Sequence, residues 1–128
     1  MDAPKILVVD DDRDLCDLLF DFLTEEGYRV RRAYAGQDAI VSARELTPDA
    51  VLLDLLLPDL SGVLVGRALR ADTQTRDVPI VIISGDRAAL ARSTAELGAH
   101  SFLEKPFSLA AVQAAVRAAL GNAALESP

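Results

Sequence analysis

Five apolar runs recur along the chain, each separated from the next by a stretch of helical rather than alternating periodicity. The runs are KILVVD, YRVRRA, AVLLDLLL, PIVIIS and HSFLE, spanning 5–10, 28–33, 50–57, 79–84 and 100–104. Four of them are apolar almost throughout, the pattern of parallel strands covered by helices on both faces. YRVRRA alternates and reads as a more exposed strand, and AVLLDLLL, the most apolar, as the central one. Between the runs, Leu15, Leu18, Leu19, Phe22 and Leu23 fall on one helical face, with Gly27 placed to stop the helix. Gly36 to Leu46 reads as a second helix with Ala39, Ile40 and Ala43 inward, ended by Pro48. Val65 and Leu69 mark a third, in which Gly66 costs about 1 kcal/mol relative to alanine. Ala88 to Leu97 is the fourth, with Gly98 as its stop, and Ser108 caps a fifth carrying Leu109, Val112, Val116 and Leu120. Five βα units with right-handed crossovers predict an α/β fold with a doubly wound parallel sheet.

A chain of 128 residues suits one domain, able to bury roughly two-thirds of the surface it exposes when unfolded. We expect that domain over 1–121, with 122–128 a frayed tail or the start of a linker. The formal net charge of −7 argues against a nucleic-acid role for this domain, because a phosphate backbone repels it. One cysteine, Cys16, cannot form an internal disulfide, and its expected role is that of a small helix residue. MDAPK lacks a basic segment leading into an apolar one, and the longest apolar runs fall far short of a membrane span. No membrane association and a cytoplasmic location are therefore expected.

A doubly wound sheet places its site at the carboxyl ends of its strands. Asp10 and Asp11 end the first, Asp54 the third, Ser84 the fourth, and Glu104 and Lys105 the fifth, followed by Pro106. Two carboxylates about 4 Å apart repel by roughly 4 kcal/mol at an effective dielectric near 20. Three crowded together therefore require a proton or a cation. Oxygen ligands on loops suit Mg²⁺, and no histidine or cysteine stands there to build a zinc site. His100, the one histidine, starts the fifth strand at the opposite edge and reads as a surface residue. A metal, a free carboxylate, a hydroxyl and a lysine point to phosphoryl chemistry. Asp54 is the best nucleophile, Lys105 a point charge and Ser84 a hydrogen-bond donor. Asp12 reads instead as the cap of the first helix, and Asp49 and Asp59 as structural acids of Pro-Asp turns.

VVDDD, LLDLLLPDLSG, VIISG and FLEKPF, in this order and spacing, resemble the receiver domain of two-component response regulators, over roughly residues 4–120. The resemblance is to the chemotaxis-regulator-like form. It implies a flavodoxin-like fold of strand order 2-1-3-4-5. It implies Asp54 as phospho-acceptor and Asp10 and Asp11 as the acidic pocket. Mg²⁺ would be held by Asp11, Asp54 and the backbone carbonyl of Leu56, with Asp10 acting through water. Ser84 would be the switch hydroxyl, Phe102 the switch aromatic, which would otherwise read as core, and Lys105–Pro106 a cis peptide bond. A histidine kinase or histidine phosphotransfer protein would donate the phosphoryl group, and the domain would catalyse its own phosphorylation and dephosphorylation without being a small-molecule enzyme. An unknown partner, an effector domain outside this chain, or a second copy meeting the face of helix four, strand five and helix five would receive the signal.

Some positions depart from the commonest pattern. Leu56 offers no side-chain hydrogen bond to an attacking water. Asp86, two residues after Ser84, could supply one or repel the phosphoryl group. Leu64 lies off the inward stripe of its helix, and Arg87, Arg92, Glu96 and Arg117 do not match the charged dimer face of some DNA-binding members, which leaves the dimer mode open. Two other functions compete with the receiver. A phosphatase of the haloacid-dehalogenase type would need a second aspartate two residues after the first, where Leu56 stands. A phosphorylation-independent interaction module would lack the acid pocket or the lysine, and both are present.

Overall fold

The computed structural model describes residues 2–121; the tail expected over 122–128 lies outside the described residues. Its elements are β1 (Lys5–Val9), α1 (Arg13–Glu25), β2 (Arg29–Ala33), α2 (Gly36–Leu46), β3 (Ala50–Asp54), α3 (Gly62–Ala71), β4 (Ile80–Ser84), α4 (Arg87–Leu97), β5 (Ser101–Glu104) and α5 (Leu109–Leu120). All strand pairs are parallel, in the order β2-β1-β3-β4-β5. From β1 the chain steps one way to β2 and then back past β1 to β3. The winding therefore reverses between β1 and β3, and a crevice opens at their carboxyl ends.

The period-2 alternation of the inner strands divides the core in two. Leu7, Val9, Val51, Leu53, Ile80 and Ile82 face α2, α3 and α4 through Ala39, Ala43, Val65, Leu69, Leu90 and Leu97. Ile6, Val8, Leu52, Val81 and Ile83 face α1 and α5 through Cys16, Leu19, Leu23, Val112 and Val116. Each buried valine, leucine or isoleucine among them stabilises the fold by about 1.5–3 kcal/mol relative to leaving it in water. The edge strand β2 is only partly buried, as its alternation predicts.

Four helices carry their own N-cap. Asp12 accepts from the Leu15 N–H, Ser61 from Leu64, Asp86 from Ala88 and Ala89, and Ser108 from Ala111. Gly98 ends α4 in the left-handed region that glycine enters without a Cβ penalty.

β3 ends at Asp54, as read from the sequence, and Leu56 stands 76% exposed in the following loop. Two expectations need correction. The inward face of α1 centres on Cys16, Leu19 and Leu23, which leaves Leu18 half exposed at its rim. Gly66 is more than a tolerated weakness in α3. A Cβ there would come within 2.5 Å of Leu97 Cδ1, so its bareness lets α4 pack close.

Candidate functional site

Asp10 follows β1 directly and is fully buried, while Asp11 beside it is exposed. Asp54 is the last residue of β3 and is buried. Parallel pairing sets β1 and β3 side by side, with Val9 opposite Leu53, so the residues that follow share one edge. Carboxylate oxygens of Asp10, Asp11 and Asp54 lie within 4.8 Å of one another. Lys105, just past β5, reaches back across that edge. Its Nζ lies 2.9 Å from Asp54 Oδ2 and 2.9 Å from Asp10 Oδ2. The Lys105–Pro106 bond is cis.

Each carboxylate is held differently. Asp54 Oδ1 accepts the Leu56 N–H at 3.0 Å and Oδ2 accepts from the Lys105 ammonium, which together fix the plane of the group. Asp10 Oδ1 accepts the Asp12 N–H at 3.0 Å. Its Oδ2 is buried and accepts no well-aligned hydrogen bond, although the Lys105 ammonium lies 2.9 Å away. Burial is the main reason that the Asp10 carboxyl sits above the ordinary aspartate range, and the neighbouring Asp54 adds to it. Burial alone would push Lys105 down. Its close contacts with Asp10 and Asp54, and their charges, outweigh that and hold its ammonium above the ordinary lysine range.

Three carboxylates thus face one ammonium, and a buried oxygen is left short of a hydrogen bond. The donors are all oxygen, one of them open to solvent, and neither histidine nor cysteine contributes to the cluster. Such a set fits a hard divalent cation such as Mg²⁺ and is ill suited to zinc.

Ser84 ends β4 with its side chain buried, and its Oγ accepts the Asp86 N–H at 3.0 Å. Asp86 Oδ1 is itself committed to capping α4, accepting from Ala88 and Ala89. Phe102, read as core apart from the family resemblance, is 50% exposed on β5. Near it, Arg87 at the start of α4 pairs with Glu104 at the end of β5 at 3.0 Å. Cys16 donates its thiol to the Asp10 carbonyl at 3.2 Å, and burial raises its pKa to about 12, which leaves it an inert thiol. His100 is exposed and lies just before β5, away from this edge.

Asp59 was read as an acid of its own turn. Its Oδ1 accepts the Gly36 N–H at 2.6 Å and its Oδ2 the Gln37 N–H at 3.0 Å, across 23 and 22 residues. A sequence signal for this existed: α2 begins after Ala35, which has no side chain to cap it.

The family model of the response regulator receiver domain matches residues 6–117. The transcriptional regulatory protein PrrA of Mycobacterium tuberculosis is 42% identical over 119 residues, covering 92% of this chain and 50% of PrrA. The DNA-binding response regulator MtrA of the same organism is 42% identical over 118 residues, covering 91% of this chain and 50% of MtrA. The chain therefore spans about half the length of the curated relatives it matches. Among solved structures, the receiver domain of the sensor histidine kinase PA1611 from Pseudomonas aeruginosa superposes with a TM-score of 0.85 at 30% identity. That likeness covers 94% of this chain and 99% of the other, and the structure has a magnesium ion coordinated in its active-site cleft. Among the described residues, no helix is long and apolar enough to cross a membrane.

Proposed function

The chain belongs to the response regulator receiver domain family, whose general function is phosphorylation-dependent signalling, and from that premise we propose that Asp54 is its phospho-acceptor. One observation carries the proposal: the Asp54 carboxylate is gripped at both oxygens, by Leu56 N–H and Lys105 Nζ, beside two further carboxylates. A carboxylate so oriented holds its remaining lone pairs at a fixed angle, which is what a nucleophile requires. It attacks the phosphorus of a phosphohistidine on a histidine kinase or phosphotransfer protein. The new O–P bond makes an acyl phosphate, the N–P bond breaks, and the histidine nitrogen leaves with the electron pair and takes up a proton. The Lys105 ammonium moves with the charge, from carboxylate to phosphoryl oxygens. Asp11, Asp54 and the Leu56 carbonyl would hold Mg²⁺, with Asp10 acting through water, and the ion would supply positive charge against the phosphoryl oxygens.

The Ser84 hydroxyl is the natural donor to a phosphoryl group on Asp54. The same Oγ accepts the Asp86 N–H, and Asp86 is the residue that caps α4. Phe102 then turns inward, and the surface of α4, β5 and α5 is altered for whatever reads it. That reader is a binding partner, a second copy, or an effector domain outside these residues. We assign the receiver unit to residues 1–121 and place the protein in the cytoplasm, where kinases of this class deliver phosphoryl groups.

Acetyl phosphate with Mg²⁺, or the cognate kinase, is expected to add one phosphoryl group by intact mass. Asp54→Asn is expected to reduce incorporation to less than about a thousandth, as loss of a nucleophile does. Wild-type protein that stays unmodified with kinase and Mg²⁺ present would sink the reading. Hydrolysis of small phosphate esters at tens per second would favour a phosphatase instead.

A further inference from the structure

The loop between β3 and α3, residues 55–61, carries the Leu56 peptide, whose N–H holds Asp54. The Leu56 side chain cannot hold that peptide in place, because it stands in solvent. Other anchors must. At the ends of the loop, Leu55 donates its N–H to Ile83 O and its carbonyl accepts from Gly62 N at 2.8 Å. Gly62 lies so close to the Asp54 and Leu55 backbone that no side chain fits there. In the middle, Asp59 ties the loop to the start of α2 through Gly36 N and Gln37 N, and also accepts the Leu60 N–H. The approach is tight, since a Cβ at Gly36 would lie 2.8 Å from Leu60 Cβ and 3.2 Å from Asp59 Oδ1. The bonds from Gln37 and Gly36 hold the Asp59 carboxyl below the ordinary aspartate range, as expected of an ionised acceptor.

We propose that Asp59 is a positioning residue for the phosphorylation site: by docking the loop onto the N-terminus of α2, it sets where the Leu56 peptide stands relative to Asp54 and Mg²⁺. The proposal rests on the metal and phospho-acceptor roles put forward above. Asp59 touches no reacting atom; it acts through the peptide two residues after the nucleophile. The arrangement satisfies two needs together, because the same carboxylate supplies the cap that Ala35 cannot give α2.

The test is Mg²⁺ titration of the full chain by calorimetry, for wild type, Asp59→Ala, Asp59→Asn and Asp49→Asn. Asp49 is the control. It also accepts a backbone N–H, from Lys5 at 2.8 Å, but at the amino end of β3. Asp59→Ala is expected to weaken Mg²⁺ binding about tenfold, the usual effect of losing a group that orients a ligand. Asp59→Asn keeps one acceptor oxygen, and an intermediate loss of about threefold is expected. Should the alanine variant fail to fold, the asparagine variant carries the test. Asp49→Asn is expected to bind as wild type does. A second readout needs no metal: hydrogen exchange at the Leu56 amide is expected to quicken in Asp59→Asn and not in Asp49→Asn. Unchanged affinity in both Asp59 variants, or an equal loss in Asp49→Asn, would overturn the positioning role and leave the phospho-acceptor reading standing. Wild type that neither binds Mg²⁺ nor takes a phosphoryl group would overturn the underlying reading.

Discussion

Aspartates stand at both ends of the sheet, in opposite settings. At the amino ends of the strands, Asp49 and Asp72 meet their own donors. Asp49 accepts the Lys5 N–H, and Asp72 accepts the Gln74 N–H with one oxygen and the Arg44 Nε with the other, at 2.9 and 2.8 Å. Those bonds, the Gln74 N–H first and Arg44 second, pull the Asp72 carboxyl below its ordinary range. At the carboxyl ends, Asp10, Asp11 and Asp54 face one another around a single ammonium, and burial pushes Asp10 the other way. One end spends its charges on holding the chain together. The other keeps charge in a form that the fold does not neutralise, and a cation or a phosphoryl group can lower its energy. Opposite shifts in the same residue type separate the aspartates that meet backbone donors, Asp72 and Asp59, from the buried Asp10 that faces other carboxylates.

The largest test of that contrast is to remove a site acid and ask what it held. Asp11→Ala is expected to weaken Mg²⁺ binding roughly a hundredfold, equivalent to about 2.7 kcal/mol. Asp49→Asn at the opposite end is expected to leave it unchanged. Calorimetric titration checks both, and Mg²⁺ affinity that survives Asp11→Ala would refute the ligand assignment.

Next is the counter-charge. Lys105→Met leaves two buried carboxylates facing each other. In EDTA at pH 7 it is expected to lose about 2 kcal/mol in urea denaturation, less than a fully buried pair because the lysine side chain is 31% exposed. The pH dependence has a definite sign at each end. The folded pKa of Lys105 is raised, so its contribution is complete below the unfolded value near 10.5 and is lost as pH climbs through the folded one. In acid the deficit of the variant shrinks instead, as Asp10 takes up its proton.

Asp10→Asn turns the comparison round, since removing this charge is expected to strengthen the fold. Asp10 has a raised folded pKa, so ionising it costs the native state more than the unfolded one. In EDTA near pH 7 the variant is expected to be about 1 kcal/mol more stable than wild type, the usual gain when a functional charge is given up. The gain fades as pH falls toward 3.8, where wild-type Asp10 is protonated as well. Loss of stability at pH 7 would show that the Asp10–Lys105 attraction outweighs burial.

The carboxyl-end cluster was legible in the sequence for a topological reason. Apolar runs too short for helices and too continuous for surface strands predict a parallel sheet. The polar residues that end those runs then meet by geometry, and Asp10, Asp11, Asp54 and Lys105 do. What stayed hidden depends on contacts across the chain that no local pattern encodes. Leu55, Leu56 and Leu57 look alike in sequence, yet only Leu55 is buried, because the strand stops at Asp54. Gly66 looks like a helix defect until Leu97, from another helix, is seen lying over it. Asp86 has the spacing of a site residue and the geometry of a cap. Asp59 has the setting of a turn residue and serves a helix 22 residues earlier in the chain. Roles at the amino end are equally non-local: Arg44 and Asp72 belong to different βα units and meet only when α2 and α3 pack together.

That last pair gives the smallest effect and the cleanest opposite of Asp10. Asp72 is tied down by a backbone N–H and a guanidinium, and its folded pKa is lowered. Its contribution is therefore present above the unfolded value near 3.8 and is lost as pH falls through the folded one. Asp72→Asn is expected to lower the melting temperature slightly at pH 7, with the difference closing on acidification. Added salt narrows the part due to Arg44, whose side chain is exposed, and leaves the part due to the Gln74 N–H. Melting curves of wild type, Asp72→Asn and Asp10→Asn between pH 7 and pH 3 put the two ends of the sheet on one plot. At neutral pH the two variants are expected on opposite sides of wild type, converging on it as the acids protonate. Two variants shifted the same way would mean that the donors around an aspartate do not decide what it does for this fold.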